Sequence, residues 1–302
     1  MQGKSSAGPL AALALLSLIW GYNWIFMKDA LEYSPPFLFA GLRATVGAGV
    51  LLAISPLLGV SLRPPPWRQM LPLGLVQTTG FVGFTVLALV YGGAGKTAIL
   101  VYTMPVWLIL LAWPLLHERV HGLQWPALGL VLGGIIVLLA PWSHHTGYAN
   151  ALFGLLSALC WAISAILLKQ LGQDRQVNMM NLTAWQMLLG GMVLLLIAWA
   201  IEPMQIRWTP RFVLDLAYNA LPANALAWLL WSYALQRLSA GIAGMSMLFT
   251  PLIGVFAAWA HLGEVPGRWE GLGMLSILIA LALVSWQHWQ GRERVPLAAA
   301  QE

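Results

Sequence analysis

Long apolar runs separated by short polar breaks follow one another from one end of the chain to the other. The pattern predicts ten membrane-spanning helices, over residues 9–27, 36–59, 70–91, 95–116, 123–140, 149–170, 183–201, 213–236, 241–261 and 269–289. A run of about 20 apolar residues, rising 1.5 Å per residue, crosses the roughly 30 Å hydrocarbon core of a bilayer. The polar intervals leave no room for a separate soluble domain, and the stretch after Gln290 reads as a disordered tail. The first run has only Lys4 before it, lacks a small-residue cleavage site and is long for a signal-peptide core. It is expected to stay as the first span.

Composition agrees. The 302 residues are 60% hydrophobic and 8% charged, whereas soluble domains carry about 25% charged residues. This chain cannot cover a water-facing surface, so lipid must cover it. The net charge of +5 is spread singly over helix ends and forms no basic patch, which argues against nucleic acid as a partner. Cys160 is the only cysteine, which excludes an intrachain disulfide and a multi-cysteine metal site.

Ten spans put both termini on one side. That side would hold Lys4, Arg63, Arg68, Arg119, Lys169, Arg175, Arg237, Arg292 and Arg294; the other would hold Lys28, Lys96, Arg207, Arg211 and Arg268. Nine against five predicts cytoplasmic termini by the positive-inside rule.

The chain also repeats itself. Trp20-Gly21-Tyr22-Asn23 leads to Lys28 just as Trp161-Ala162-Ile163-Ser164 leads to Lys169. Ala94-Gly95, Pro105, Trp113 and Glu118 recur 146 positions later as Ala240-Gly241, Pro251, Trp259 and Glu264. Trp125 and Gly129 recur as Trp269 and Gly273 after a slightly shorter loop. The halves are therefore expected to be 1–146 and 147–290, with 291–302 as a cytoplasmic tail. Five spans per half is an odd number, so the second half must be inverted, which is a transporter architecture.

These motifs, with Arg43 in the second span, resemble the paired EamA repeats of the drug/metabolite transporter superfamily over nearly the whole chain. The tryptophan-bearing first and sixth helices are most similar to bacterial aromatic amino-acid exporters of the YddG type. The resemblance implies an all-α inner-membrane exporter of small organic solutes, working by alternating access, with helices 1, 3, 4 and 6, 8, 9 around a central cavity. It implies a small-molecule substrate and the bilayer as partners, a monomer or weak dimer, and no cofactor. A carrier for nucleobases, sugars or quaternary compounds is the alternative.

Candidate cavity residues are polar or aromatic positions on otherwise apolar helices: Trp20, Asn23, Gln77, Tyr102, Trp161, Ser164, Gln186, Asn224, Trp228 and Ser246. Trp20, Asn23 and Met27 share one face of helix 1, and Trp161, Ser164 and Leu168 repeat it in helix 6. An amide in hydrocarbon needs a partner, so these side chains must point inward, to one another or to a substrate. Candidate gate or hinge residues are Arg43, Pro105, Pro251, Glu118 and Glu264. Arg43 is the one charge well inside a span, away from its ends; insertion of a central cation costs about 2.5–3.5 kcal/mol, so it must face the bundle. It either holds a substrate carboxylate or is clasped by backbone carbonyls or Glu264. Pro105 and Pro251 are expected to kink their helices from the middle. Gly129-x-x-x-Gly133 permits close helix contact, expected to serve internal packing.

No carboxylate or histidine lies at mid-span, so strict proton coupling is not expected. His117-Glu118-Arg119-Val120-His121 matches the zinc-protease pattern, but the repeat accounts for Glu118, since Glu264 takes the same place without histidines. An intramembrane zinc hydrolase is thus the weaker alternative, and no resident metal is expected.

Overall fold

The computed structural model describes residues 7–116, 120, 122–139, 148–171, 178–235, 237 and 249–293, and among them there are helices, turns and irregular connections but no strand. α1 (Ala7–Ala30) and α2 (Pro36–Ile54) are followed by α3 (Trp67–Tyr91). α4 comes in two pieces, Ala94–Val101 and Met104–Leu116; α5 is Gln124–Leu139. The second half holds α6 (Tyr148–Leu171), α7 (Met179–Ile201) and α8, built of Pro210–Ala220, Leu221–Leu226 and Ala227–Leu235. α9 (Phe249–Leu262) and α10 (Arg268–Glu293) complete it. Eight of these are long and apolar enough to cross a membrane, and α5 and α9 are shorter apolar helices.

Several ends differ from those the apolar runs predict, because capping chemistry sets them. α7 begins at Met179, where the Asn178 side chain accepts from Asn181 N. α8 begins at Pro210, after Thr209 accepts from Phe212 N. Both caps satisfy N–H groups that a helix start leaves unpaired. α2 stops at Ile54, short of residue 59: Pro56 opens a 3-10 turn closed by Gly59 at φ 69°. α10 runs three residues past Gln290, into the stretch expected to be a tail.

The packing respects the repeat. α1 lies against α8 and α9, and α6 against α3 and α4, while α2 pairs with α7 and α5 with α10. Exchanging the two halves maps each of these contacts onto another or onto itself. The α2–α7 and α5–α10 pairs join symmetry mates, and the other six helices interlock.

Close approach depends on glycine at particular points. A methyl on Gly273 would stand 2.6 Å from the Gly134 carbonyl oxygen, so α5 and α10 meet there. This corrects the expectation for Gly129 and Gly133. Both are exposed, with nothing near a would-be methyl, so they do not serve internal packing. Likewise Pro105 is not a mid-helix kink. Pro105 is the second residue of the second piece of α4, whereas the residues before Phe249 of α9, which would place Pro251, lie outside the described residues. Proline fits a first turn because its missing N–H would have no partner there.

Candidate functional site

α4 breaks at Tyr102 and Thr103. Thr103 turns its hydroxyl back to Leu100 O (2.6 Å) and accepts from Trp107 Nε1 (3.1 Å), fixing the turn with local bonds. Tyr102 is thereby directed between the halves. Its ring stands 5.5 Å from Trp161 at 78° and 6.4 Å from Trp24 at 63°, both edge-on, and Phe81 lies 5.3 Å from Trp161. Such pairs add about 0.5–1.5 kcal/mol beyond buried area. The four rings come from α1, α3, α4 and α6, so the break in α4 seats an aromatic corner where the repeats meet.

Two further breaks are symmetric. Gly74–Gly80 in α3 and Leu221–Leu226 in α8 are π-helical, and they carry Gln77 and Asn224. A π turn inserts one residue and loosens the backbone bonds around it, often at functional sites. The Trp20 indole N–H donates to Ala223 O, in the α8 segment, at 2.9 Å. Asn224 Nδ2 donates to Arg43 O at 3.4 Å and packs over Gly47.

The predicted cavity residues separate into two groups. Gln186 accepts from the Thr78 hydroxyl at 2.8 Å, tying α7 to α3, and Ser164 donates to Trp161 O at 2.8 Å within its own helix. With the Trp20 N–H also occupied, these three are engaged inside the protein. Asn23 is buried, yet its Oδ1 meets no donor. Tyr102 and Trp161 meet in the aromatic corner. Ser246, Glu118, His117, His121 and the Trp228 side chain lie outside the described residues.

Arg43 is 8% exposed, and Nη1 rests on the thioether of Met27. It is not clasped by Glu264. That carboxylate accepts from Ala94 N (2.8 Å) and Gly95 N (3.1 Å) at the start of α4. Beside it, Lys28 donates to Leu89 O (2.6 Å) and Gly92 O (3.0 Å) at the end of α3. One lysine and one glutamate thus satisfy opposite helix ends across the Gly92-Gly93 corner, each sign matched to its helix dipole.

The same face is tied elsewhere. Glu202 accepts from Phe37 N and Leu38 N, each at 2.9 Å, and Lys96 pairs with Glu270 at 2.8 Å. Arg211 of α8 pairs with Asp29 of α1, and its Nε lies 3.4 Å from Asp215. Phe26 stacks on Tyr218 at 3.8 Å. This is the face at the C-terminal end of α1, and its charged groups join α1, α3, α4, α8 and α10.

Sequence reasoning passed over three features. Trp24 and the π segments carry no pattern that sets them apart. Asp215 reads as a residue near a span end, and it does sit in the second turn of α8, but its side chain is fully buried.

Comparison with known proteins follows this architecture. The chain matches the EamA-like transporter family over residues 8–140 and 149–286 and belongs to that family. It is therefore a multi-pass membrane transporter with two EamA repeats, and its relatives are transporters, not enzymes. The "Uncharacterized transporter YvbV" of Bacillus subtilis is 31% identical, over 90% of each chain. "Uncharacterized transporter YoaV" of the same organism is 28% identical, over 82% of this chain and 87% of its own. A relative of Salmonella typhimurium named "Probable amino-acid metabolite efflux pump" is 26% identical, over 88% and 91%. A solved crystal structure with a TM-score of 0.66 and 18% identity covers 94% of this chain and 98% of its own, and it shows the same fold.

Proposed function

We propose that this transporter exports amino acids, aromatic ones among them, across the bacterial inner membrane by alternating access and without obligatory proton coupling. The observation that carries the reading is the aromatic corner of Tyr102, Trp161, Trp24 and Phe81 at the break in α4, an apolar wall between the two repeats. The names borne by the Salmonella typhimurium and Escherichia coli relatives support it. A buried Arg43 disfavours the runner-up class of quaternary cations, since like charge in a poorly hydrated site repels.

The test is counterflow in proteoliposomes with each of the twenty protein amino acids, a nucleobase, a sugar and choline. Accelerated exchange is expected for one or more amino acids, with bulky apolar ones among the fastest; exchange of only the other three would overturn the reading.

Orientation rests on the lysine and arginine asymmetry, with both termini in the cytoplasm. In whole cells, an impermeant maleimide should label a cysteine placed at 203–206 and spare one placed at 62–68. The reverse labelling would turn the orientation round.

A further inference from the structure

We infer that Arg43 and Asn23 form a clamp for the head group of an α-amino acid, the guanidinium taking the carboxylate and the Asn23 carboxamide oxygen taking the ammonium. The inference rests on the transporter reading above and adds where and how the substrate is held.

Arg43 is buried, and among the described residues no carboxylate lies within ion-pair distance of it. Its side-chain partner is a thioether, a weak and uncharged acceptor. Of the described carboxylates, five are engaged elsewhere, Glu264 on α4, Glu202 on α2, Glu270 on Lys96, and Asp29 and Asp215 on Arg211, and Glu32 is exposed. A guanidinium held this way in a membrane is costly unless an anion arrives to pair with it. A substrate carboxylate fits the planar fork of donors.

Asn23 presents the complementary need, an acceptor sealed from water with no donor. Its position relative to Arg43 follows from helix geometry. Asn23 and Met27 are i and i+4 on one face of α1, with Cβ atoms about 6 Å apart, and it is Met27 that touches Arg43. Asn23 lies seven residues before the end of α1, and Arg43 seven after the start of α2. At 1.5 Å per residue both are therefore about 10 Å below the same face.

An α-amino acid carries its two charges on one carbon, with the nitrogen about 2.5 Å from the carboxyl carbon by standard bond lengths. Adding a hydrogen bond of about 2.9 Å at each end gives a span of about 8 Å between donor and acceptor. One helical turn plus the reach of the arginine provides that. A simple amine lacks the group Arg43 requires, and a simple acid lacks the group Asn23 requires.

The amino acid with the fastest counterflow serves as probe, competed by its decarboxylated amine and by its deaminated acid. In the wild type, both analogues should compete at least tenfold more weakly than the amino acid. Arg43→Gln should weaken competition by the amino acid at least tenfold and leave the amine unchanged, while Arg43→Lys should retain part of the preference. Asn23→Ala should narrow the gap between the amino acid and the deaminated acid. If Arg43→Gln is not recovered folded, Arg43→Lys and Asn23→Ala still carry the comparison. Wild-type discrimination in these variants would overturn the clamp and leave the transporter reading standing. Absence of counterflow with every amino acid would overturn both.

Discussion

Replacing Glu264 with glutamine should free the start of α4 and slow transport. The carboxylate accepts from two backbone N–H groups at a helix N-terminus, and a neutral amide offers one acceptor and no charge there. Bonds to charged groups contribute about 1.5–3 kcal/mol when shielded, and the helix-end interaction about 0.3–1 kcal/mol. Glu264 is partly exposed, so a net loss of about 1–2 kcal/mol is the reasonable scale. That corresponds to about a 5–30-fold change in a local equilibrium. Hydrogen exchange at Ala94 and Gly95 should accelerate by this factor, with the α2–α7 pair unchanged. The initial transport rate should fall several-fold, because the α3–α4 corner no longer closes in register. Unchanged exchange at those two amides would show that the cap does not hold the corner.

Liposomes loaded with substrate should show net flux with no imposed pH or sodium gradient. A pH step of two units should change the initial rate only modestly. The expectation comes from the chemistry of the spans: a proton carried with each substrate needs a titratable side chain reachable from both faces. The buried carboxylate of Asp215 sits in the second turn of α8, paired with an Arg211 that is itself about half exposed, near one face. Substrate accumulation driven by a pH gradient, and abolished in Asp215→Asn, would replace facilitated export with proton exchange and assign Asp215 as the relay.

The exporter reading, the cap at Glu264 and the expected flux without a gradient make separable demands. Exchange at two amides reports the corner and says nothing of substrate. Counterflow reports substrate and says nothing of the energy source. Gradient dependence reports that source alone.

The apolar helices and the internal repeat were legible in the sequence because lipid imposes a simple rule. Each crossing must be an apolar helix that satisfies its own backbone, and this rule writes itself into about 20 consecutive residues. The pairing of Ala94-Gly95 with Glu264 left a trace too, since both recur one repeat apart, although the trace does not say that one caps the other. What each polar side chain does was decided only in three dimensions. Gln186 and Asn23 look alike as amides on apolar helices, yet Thr78 happens to face the first and no donor faces the second. Arg43 reads as able to meet Glu264 or a substrate, and only the folded chain shows Glu264 engaged at the start of α4 instead. The break at Tyr102 is held by local bonds of Thr103, while the π turns at Gln77 and Asn224 lie within helices that the apolar pattern reads as unbroken. Local sequence specifies a helix there, and only the folded chain brings the Trp20 indole from the other half against the freed carbonyl of Ala223.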